Sequence, residues 1–147
     1  MKTFLTLLML LHTKILLSEQ MIKKVSGFSK TEKYFLSDNT IISHYTNKGT
    51  WTNNNGNYGT ETCKGTIVIN PEGTIIDYLL FCNGEDYSGY SYTAKYQRTS
   101  DMAAGAGFYI FIDGTGPWKN RIGQKCKYAI NYVKDAYFTT DICGISN

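Results

Sequence analysis

The sequence predicts an all-β fold: a single antiparallel, mostly up-and-down β-barrel of about eight strands, preceded by a short N-terminal signal helix. Three observations carry this expectation. The first is composition, with 12 Tyr and 14 Gly against only 2 Pro. β-Branched and aromatic residues fit a pleated sheet, Gly and Asn fit its turns, and long Ala/Leu/Glu/Lys runs of helical period are missing. The second is two pairs of cysteines placed symmetrically about turns. The midpoint of Cys63 and Cys82 falls between Glu72 and Gly73, inside the turn Asn70-Pro71-Glu72-Gly73, and that of Cys126 and Cys143 falls between Lys134 and Asp135. Residues equidistant from the turn of an antiparallel hairpin oppose each other with Cα atoms about 4.5–5.5 Å apart, within reach of a disulfide. The third is a succession of short runs joined by Gly/Asn turns. Closing such a meander removes its exposed edges, which favours a barrel over a sandwich.

In chain order, residues 1–20 read as a signal peptide and 21–147 as the barrel domain. Met1-Lys2-Thr3 is a short basic start, and residues 4–11 (FLTLLMLL) form an apolar run too short to span a bilayer. His12 and Lys14 interrupt the apolar stretch and no small-residue cleavage site follows, so the segment also fits a short amphipathic helix on the barrel or on a membrane surface. Residues 21–32 show no clear period. A first strand is expected within Tyr34 to Tyr45, broken near Ser37-Asp38-Asn39, and residues 52–57 (TNNNGN) read as a turn.

The next hairpin is the best specified. One face collects Cys63, Gly65, Ile67, Ile69, Ile76, Tyr78, Leu80 and Cys82 without a charge. A slip of one residue would bring Asp77 onto it, so burial and cysteine register agree. Residues 83–89 (NGEDYSG) read as a loop. Tyr90, Tyr92, Ala94 and Tyr96 then alternate with Ser91, Thr93, Lys95 and Gln97, a strand with an aromatic face. Residues 100–107 are small and turn-like, 108–112 a short apolar strand, and 113–123 a long connection. Residues 124–133 and 136–143 make the last hairpin. Its cysteine face carries Tyr128, Ile130, Tyr132, Tyr137, Thr139 and Asp141, a mixed set, and Lys-Asp is not the Asn-Gly turn most favoured between two strands.

A net charge of +3 is spread over scattered lysines, with Arg98 and Arg121 as the two arginines. That excludes the clustered basic surface of a nucleic-acid binder. The cysteine count is even and lacks the C-x-x-C spacing of zinc or thioredoxin-like sites, so no metal or other cofactor is expected. Two hairpin disulfides imply export, to the periplasm or beyond the cell; the alternative is four buried thiols in the cytosol. A stable membrane span is not expected.

Few residues suggest chemistry. His44, the one histidine after the leader, reads as a strand residue on a polar face, because one His builds no metal site and no nucleophile–base pair stands out. Asp113-Gly114-Thr115-Gly116 is not the Asp-Thr-Gly of an aspartic protease, because a Gly intervenes. Asn83-Gly84-Glu85-Asp86 lacks the ligand ladder of a Ca²⁺ loop. Glu61, Glu85, Asp86 and Asp141 could supply a carboxylate pair, but their spacing selects none. The strongest candidates are rings. Trp51, Tyr78, Tyr90, Tyr92, Tyr96, Trp118, Tyr128 and Tyr132 could line a barrel interior suited to a small planar or apolar ligand. The competing reading is that they fill the barrel and leave no cavity.

Gly49-Thr50-Trp51 is similar to the G-x-W that opens the first strand of lipocalin-like and avidin-like barrels, where the Trp plugs one end. Gly114-Thr115-Gly116-Pro117-Trp118 followed by Gly123 resembles a barrel-closing loop of allene oxide cyclase and dirigent-type barrels. Residues 49–143 as a whole resemble small exported bacterial proteins with a GTW, GNYG, two-hairpin-cysteine, DGTG-x-W layout; that resemblance implies no activity. The favoured expectation is a non-catalytic exported barrel that binds a small hydrophobic or aromatic molecule inside or at its mouth. The alternatives are a cyclase-type isomerase and an envelope interaction protein using its outer aromatic face. The oligomeric state is not legible.

Overall fold

The computed structural model describes residues 20–98 and 104–144. The expected leader lies, save for Gln20, outside the described residues. Eight strands form one closed antiparallel barrel in sequence order, β8 returning to β1. They are β1 (Met21–Phe35), β2 (Ile41–Asn53), β3 (Tyr58–Ile69), β4 (Ile75–Asp86), β5 (Ser91–Arg98), β6 (Ala104–Gly114), β7 (Lys125–Val133) and β8 (Ala136–Cys143). A 3₁₀ helix, Gly116–Arg121, connects β6 to β7. Among the described residues no helix is long and apolar enough to cross a membrane.

The β7–β8 hairpin adopts the expected register throughout, and the β3–β4 hairpin adopts it from the cysteines to Val68 and Asp77; there a bulge shifts the pairing, so Ile69 opposes Ile75 and the expected face residue Ile76 is exposed instead. Cys63 opposes Cys82 and Cys126 opposes Cys143, and each pair is a disulfide. Two stapled hairpins fit an oxidising, extracytoplasmic compartment. The β7–β8 turn tolerates Lys-Asp because Lys134 takes a left-handed conformation, φ 56°. Each bridge closes a short loop, of sequence separation 19 and 17. Replacing Cys126 and Cys143 together by alanine is expected to cost about 3 kcal/mol, read as a lower urea midpoint at unchanged m-value.

Several strands are longer than the sequence predicts. Residues 21–32 are not irregular; they form most of β1, with Met21, Lys23 and Val25 buried inside the barrel. The alternation was hidden because one inward residue is a lysine. The strand expected within residues 34–45 is instead the end of β1, a turn and the start of β2. β4 runs on to Asp86 through the expected 83–89 loop, because Gly84 leaves the space that the Tyr92 ring occupies; a Cβ there would collide with the ring. β6 extends to both sides of the expected 108–112, with Gly107 opposite Tyr128 of β7.

The two ends of the barrel differ. At one end the 3₁₀ helix carries Trp118 across the opening, where its ring meets Trp51 at 5.7 Å, Tyr92 at 4.5 Å and Phe111 at 5.6 Å. Its Nε1 donates to Asp86 Oδ2 at 2.9 Å. Trp51 therefore sits at the close of β2 rather than at the opening of a first strand. At the other end β1 outruns β8: Met21 through Phe28 pair with β8, Ser29 N–H still reaches the Asp135 carbonyl in the β7–β8 turn, and Lys30 through Phe35 pair with β2. The wall is lower there and the barrel has a mouth.

Candidate functional site

The lumen contains a charged cluster built by strand alternation. Lys23 on β1, Glu61 on β3, Tyr92 on β5 and Asp141 on β8 all point inward and all are buried. Lys23 Nζ lies 2.7 Å from Glu61 Oε2 and 3.3 Å from Asp141 Oδ2, with side chains exposed by 0%, 3% and 0% respectively. Tyr92 donates its hydroxyl to Glu61 Oε2 at 2.6 Å and accepts from Lys23 Nζ at 3.2 Å. The ammonium also faces the Tyr92 and Tyr109 rings, 5.1 and 5.3 Å from their centroids.

One ammonium serves two carboxylates, so the cluster holds one negative charge in excess where water does not screen it. Such a charge is costly unless a proton neutralises it. Burial pushes the Asp141 carboxyl above its usual range and Glu61 adds to that, while the Lys23 charge opposes it. Burial alone would lower the Lys23 ammonium; Glu61, Tyr109 and Asp141 outweigh it and raise it. Burial raises the Tyr92, Tyr96 and Tyr109 phenols, so they are un-ionised hydrogen-bonding groups rather than bases.

Beside the cluster the lumen leaves a void of only about 40 Å³. That is room for on the order of three waters. Asn47 Oδ1 and Tyr137 Oη, both buried, have no hydrogen-bond partner. The interior is otherwise filled by rings, with Tyr96 stacked on Tyr109 at 4.5 Å and Tyr128 beside Tyr96 at 5.2 Å.

Of the rings expected to line a ligand site, Tyr78, Tyr96, Tyr128 and Tyr132 surround this small void. Trp51, Tyr92 and Trp118 pack together at the plugged end. Tyr90 does not join them: it is 43% exposed and its ring lies over Gly116 in the 3₁₀ connection. His44 is exposed and its Nδ1 bonds Thr66 Oγ1 at 2.9 Å, as a polar-face strand residue. Asp86 is a local cap, accepting from the Ser88 and Tyr90 amides through Oδ1. Among the described residues one group, Glu61 with Cys63 and Cys82, has the proximity of a metal site, but its two sulfurs are bonded to each other.

A larger concavity lies at the mouth, with a volume of about 510 Å³. Ile41, Tyr45, Ile69 and Tyr132 give it apolar surface, and Lys33, Lys134 and Asp135 ring it with charge. Burial pushes the Tyr45 phenol up.

Sequence reasoning missed Lys23 as the partner that selects Glu61 and Asp141. The signal was present in part. Glu61-Thr62-Cys63 and Asp141-Ile142-Cys143 place an acid two residues before one cysteine of each pair, hence on the same face as that cysteine. Two acids pointing into one lumen call for a cation from another strand or for a proton. Comparison with protein-family models, curated proteins and solved structures finds no match for the chain.

Proposed function

We propose that this protein is an exported, non-catalytic β-barrel that binds a small molecule with an apolar or aromatic body at the open mouth. The observation that carries the reading is the contrast between the two spaces. The lumen offers about 40 Å³; the mouth offers about 510 Å³, within the range of small-molecule sites. Concavities of about 430 Å³ beside Trp118 and about 500 Å³ at Phe28 and Phe138 reach that range too, without the ring of apolar side chains that Ile41, Tyr45, Ile69 and Tyr132 give the mouth. A ring or short chain would lie against Ile41, Tyr45, Ile69 and Tyr132, with any charged group at Lys33 or Lys134. The two disulfides and the leader read in residues 1–20 support release to the periplasm or the exterior. Cyclase-type catalysis draws less support, because the carboxylates, amine and phenol converge where a substrate has no room.

Native mass spectrometry of the protein recovered from its own host should reveal a retained small molecule. With a naphthalene-type fluorescent probe, Ile69→Asp is expected to weaken binding at least about tenfold, by placing a charge against the apolar body of the guest. Unchanged probe affinity in a folded Ile69→Asp protein would overturn the assignment to the mouth.

A second reading, an envelope interaction protein, draws on the outer face. Phe28, Val133 and Phe138 are 71%, 63% and 49% exposed. They cluster where β1 and β7 flank β8, Phe28 and Val133 both pairing with Ala136. Exposed apolar groups gathered in this way suit a protein partner.

A further inference from the structure

We infer that Lys23 and Asp141 become joined by an amide bond between Lys23 Nζ and Asp141 Cγ, formed inside the folded barrel with Glu61 handling the protons and one water released. The two residues are directly opposed in the β1–β8 register. The amine nitrogen stands 3.3 Å from Asp141 Oδ2 and 2.7 Å from Glu61 Oε2. The amine and the carboxyl group are thus held side by side, and groups fixed in one geometry give intramolecular reactions very large effective concentrations. Tyr92 positions the proton carrier by donating to Glu61 Oε2. The aromatic wall of Tyr92, Tyr109 and Phe111 keeps bulk water out, so hydrolysis of the product is disfavoured.

The step balances without a further reactant. It starts from a Lys23 ammonium, a Glu61 carboxylate and a neutral Asp141 acid. Burial favours the neutral form of Asp141. Glu61 accepts a proton from Nζ, and the freed lone pair attacks Asp141 Cγ. The carbon–oxygen bond to the Asp141 hydroxyl breaks. That oxygen leaves as water, its second proton supplied through Glu61 from the amine nitrogen, and Glu61 ends protonated. Nothing is oxidised or reduced. The products in the lumen are an amide, a carboxylic acid and water, all neutral, so the desolvated charges of the starting triad are removed. The bond also falls at a meaningful seam. Disulfides tie β3 to β4 and β7 to β8, whereas β1 to β8 is the seam where the first and last strands close the barrel.

The test is peptide mapping of the full-length chain by mass spectrometry after reduction. The expected result is a branched peptide linking Lys23 to Asp141, lighter by one water than its two parts, in most wild-type molecules. It should vanish in Lys23→Met and fall at least about tenfold in a folded Glu61→Gln variant, whose neutral amide cannot take the proton. Recovery of the two wild-type peptides unlinked would overturn the bond and leave the triad ionic. Undiminished linkage in Glu61→Gln would overturn the role given to Glu61.

Discussion

Lys23→Ala is expected to destabilise the barrel by about 3–5 kcal/mol, measured by urea unfolding at neutral pH. The substitution leaves the buried Glu61 and Asp141 carboxyl groups in the lumen with no cation, since Lys23 is the charge that both approach. An amide between Lys23 and Asp141 would add its own contribution to that loss. The variant should also respond to pH in a distinctive direction. Burial already pushes Asp141 up, and Lys23 is the main influence opposing that push. Without it the folded protein holds a proton on Asp141 that the unfolded chain has released. Stability is then greatest near or below the ordinary carboxylate value, about 4, and is lost as pH rises through the raised folded value. Mild acid should therefore narrow the gap between variant and wild type. Substituting the whole cluster, as Lys23→Met with Glu61→Leu and Asp141→Leu, should recover much of the loss, because buried ion clusters are often replaceable by apolar side chains of similar volume. The three positions touch, so their effects should be strongly non-additive.

Trp118→Ala is expected to cost about 3–5 kcal/mol, the range for removing a large buried ring. The indole fills the plugged end against Trp51, Tyr92 and Phe111, and its Nε1 holds Asp86. The 3₁₀ helix that carries it has no other buried residue to anchor it. Trp118→Phe should lose less, since it keeps most of the ring burial and gives up the hydrogen bond, and the difference between the two variants isolates the packing contribution. Near-UV circular dichroism should fall in both, because the tryptophan–tyrosine cluster is the densest ring assembly at that end.

Much of the barrel was legible because its signals were symmetrical. The cysteine midpoints fixed two hairpins, and the uncharged face from Cys63 to Cys82 agreed with the first of them. The alternation after Tyr90 fixed β5, although Tyr90 itself lies outside the strand. What escaped notice was β1, and it escaped for a physical reason. Period-two reasoning assigns lysines to solvent, and Lys23 violates that rule because carboxylates from β3 and β8 meet it inside. Those partners are distant in sequence, 38 residues for Glu61, so no local pattern reveals the match. The mouth was equally hidden. It arises from an unequal pairing length of β1 against β2 and β8, which depends on strand ends rather than on side-chain pattern. Of the expected aromatic residues all but Tyr90 gather inside the barrel, where their own volume leaves little space, and the proposed guest site lies above them.

The most direct measurement is a solution NMR titration of the protein with a naphthalene-type ligand, reading where the amide and side-chain signals move. Binding at the mouth predicts shifts at Ile41, Ser43, Tyr45, Ile69 and Tyr132, with Trp51 and Trp118 at the plugged end unmoved. Shifts centred on the two tryptophans instead would place the guest at the opposite end and contradict the account.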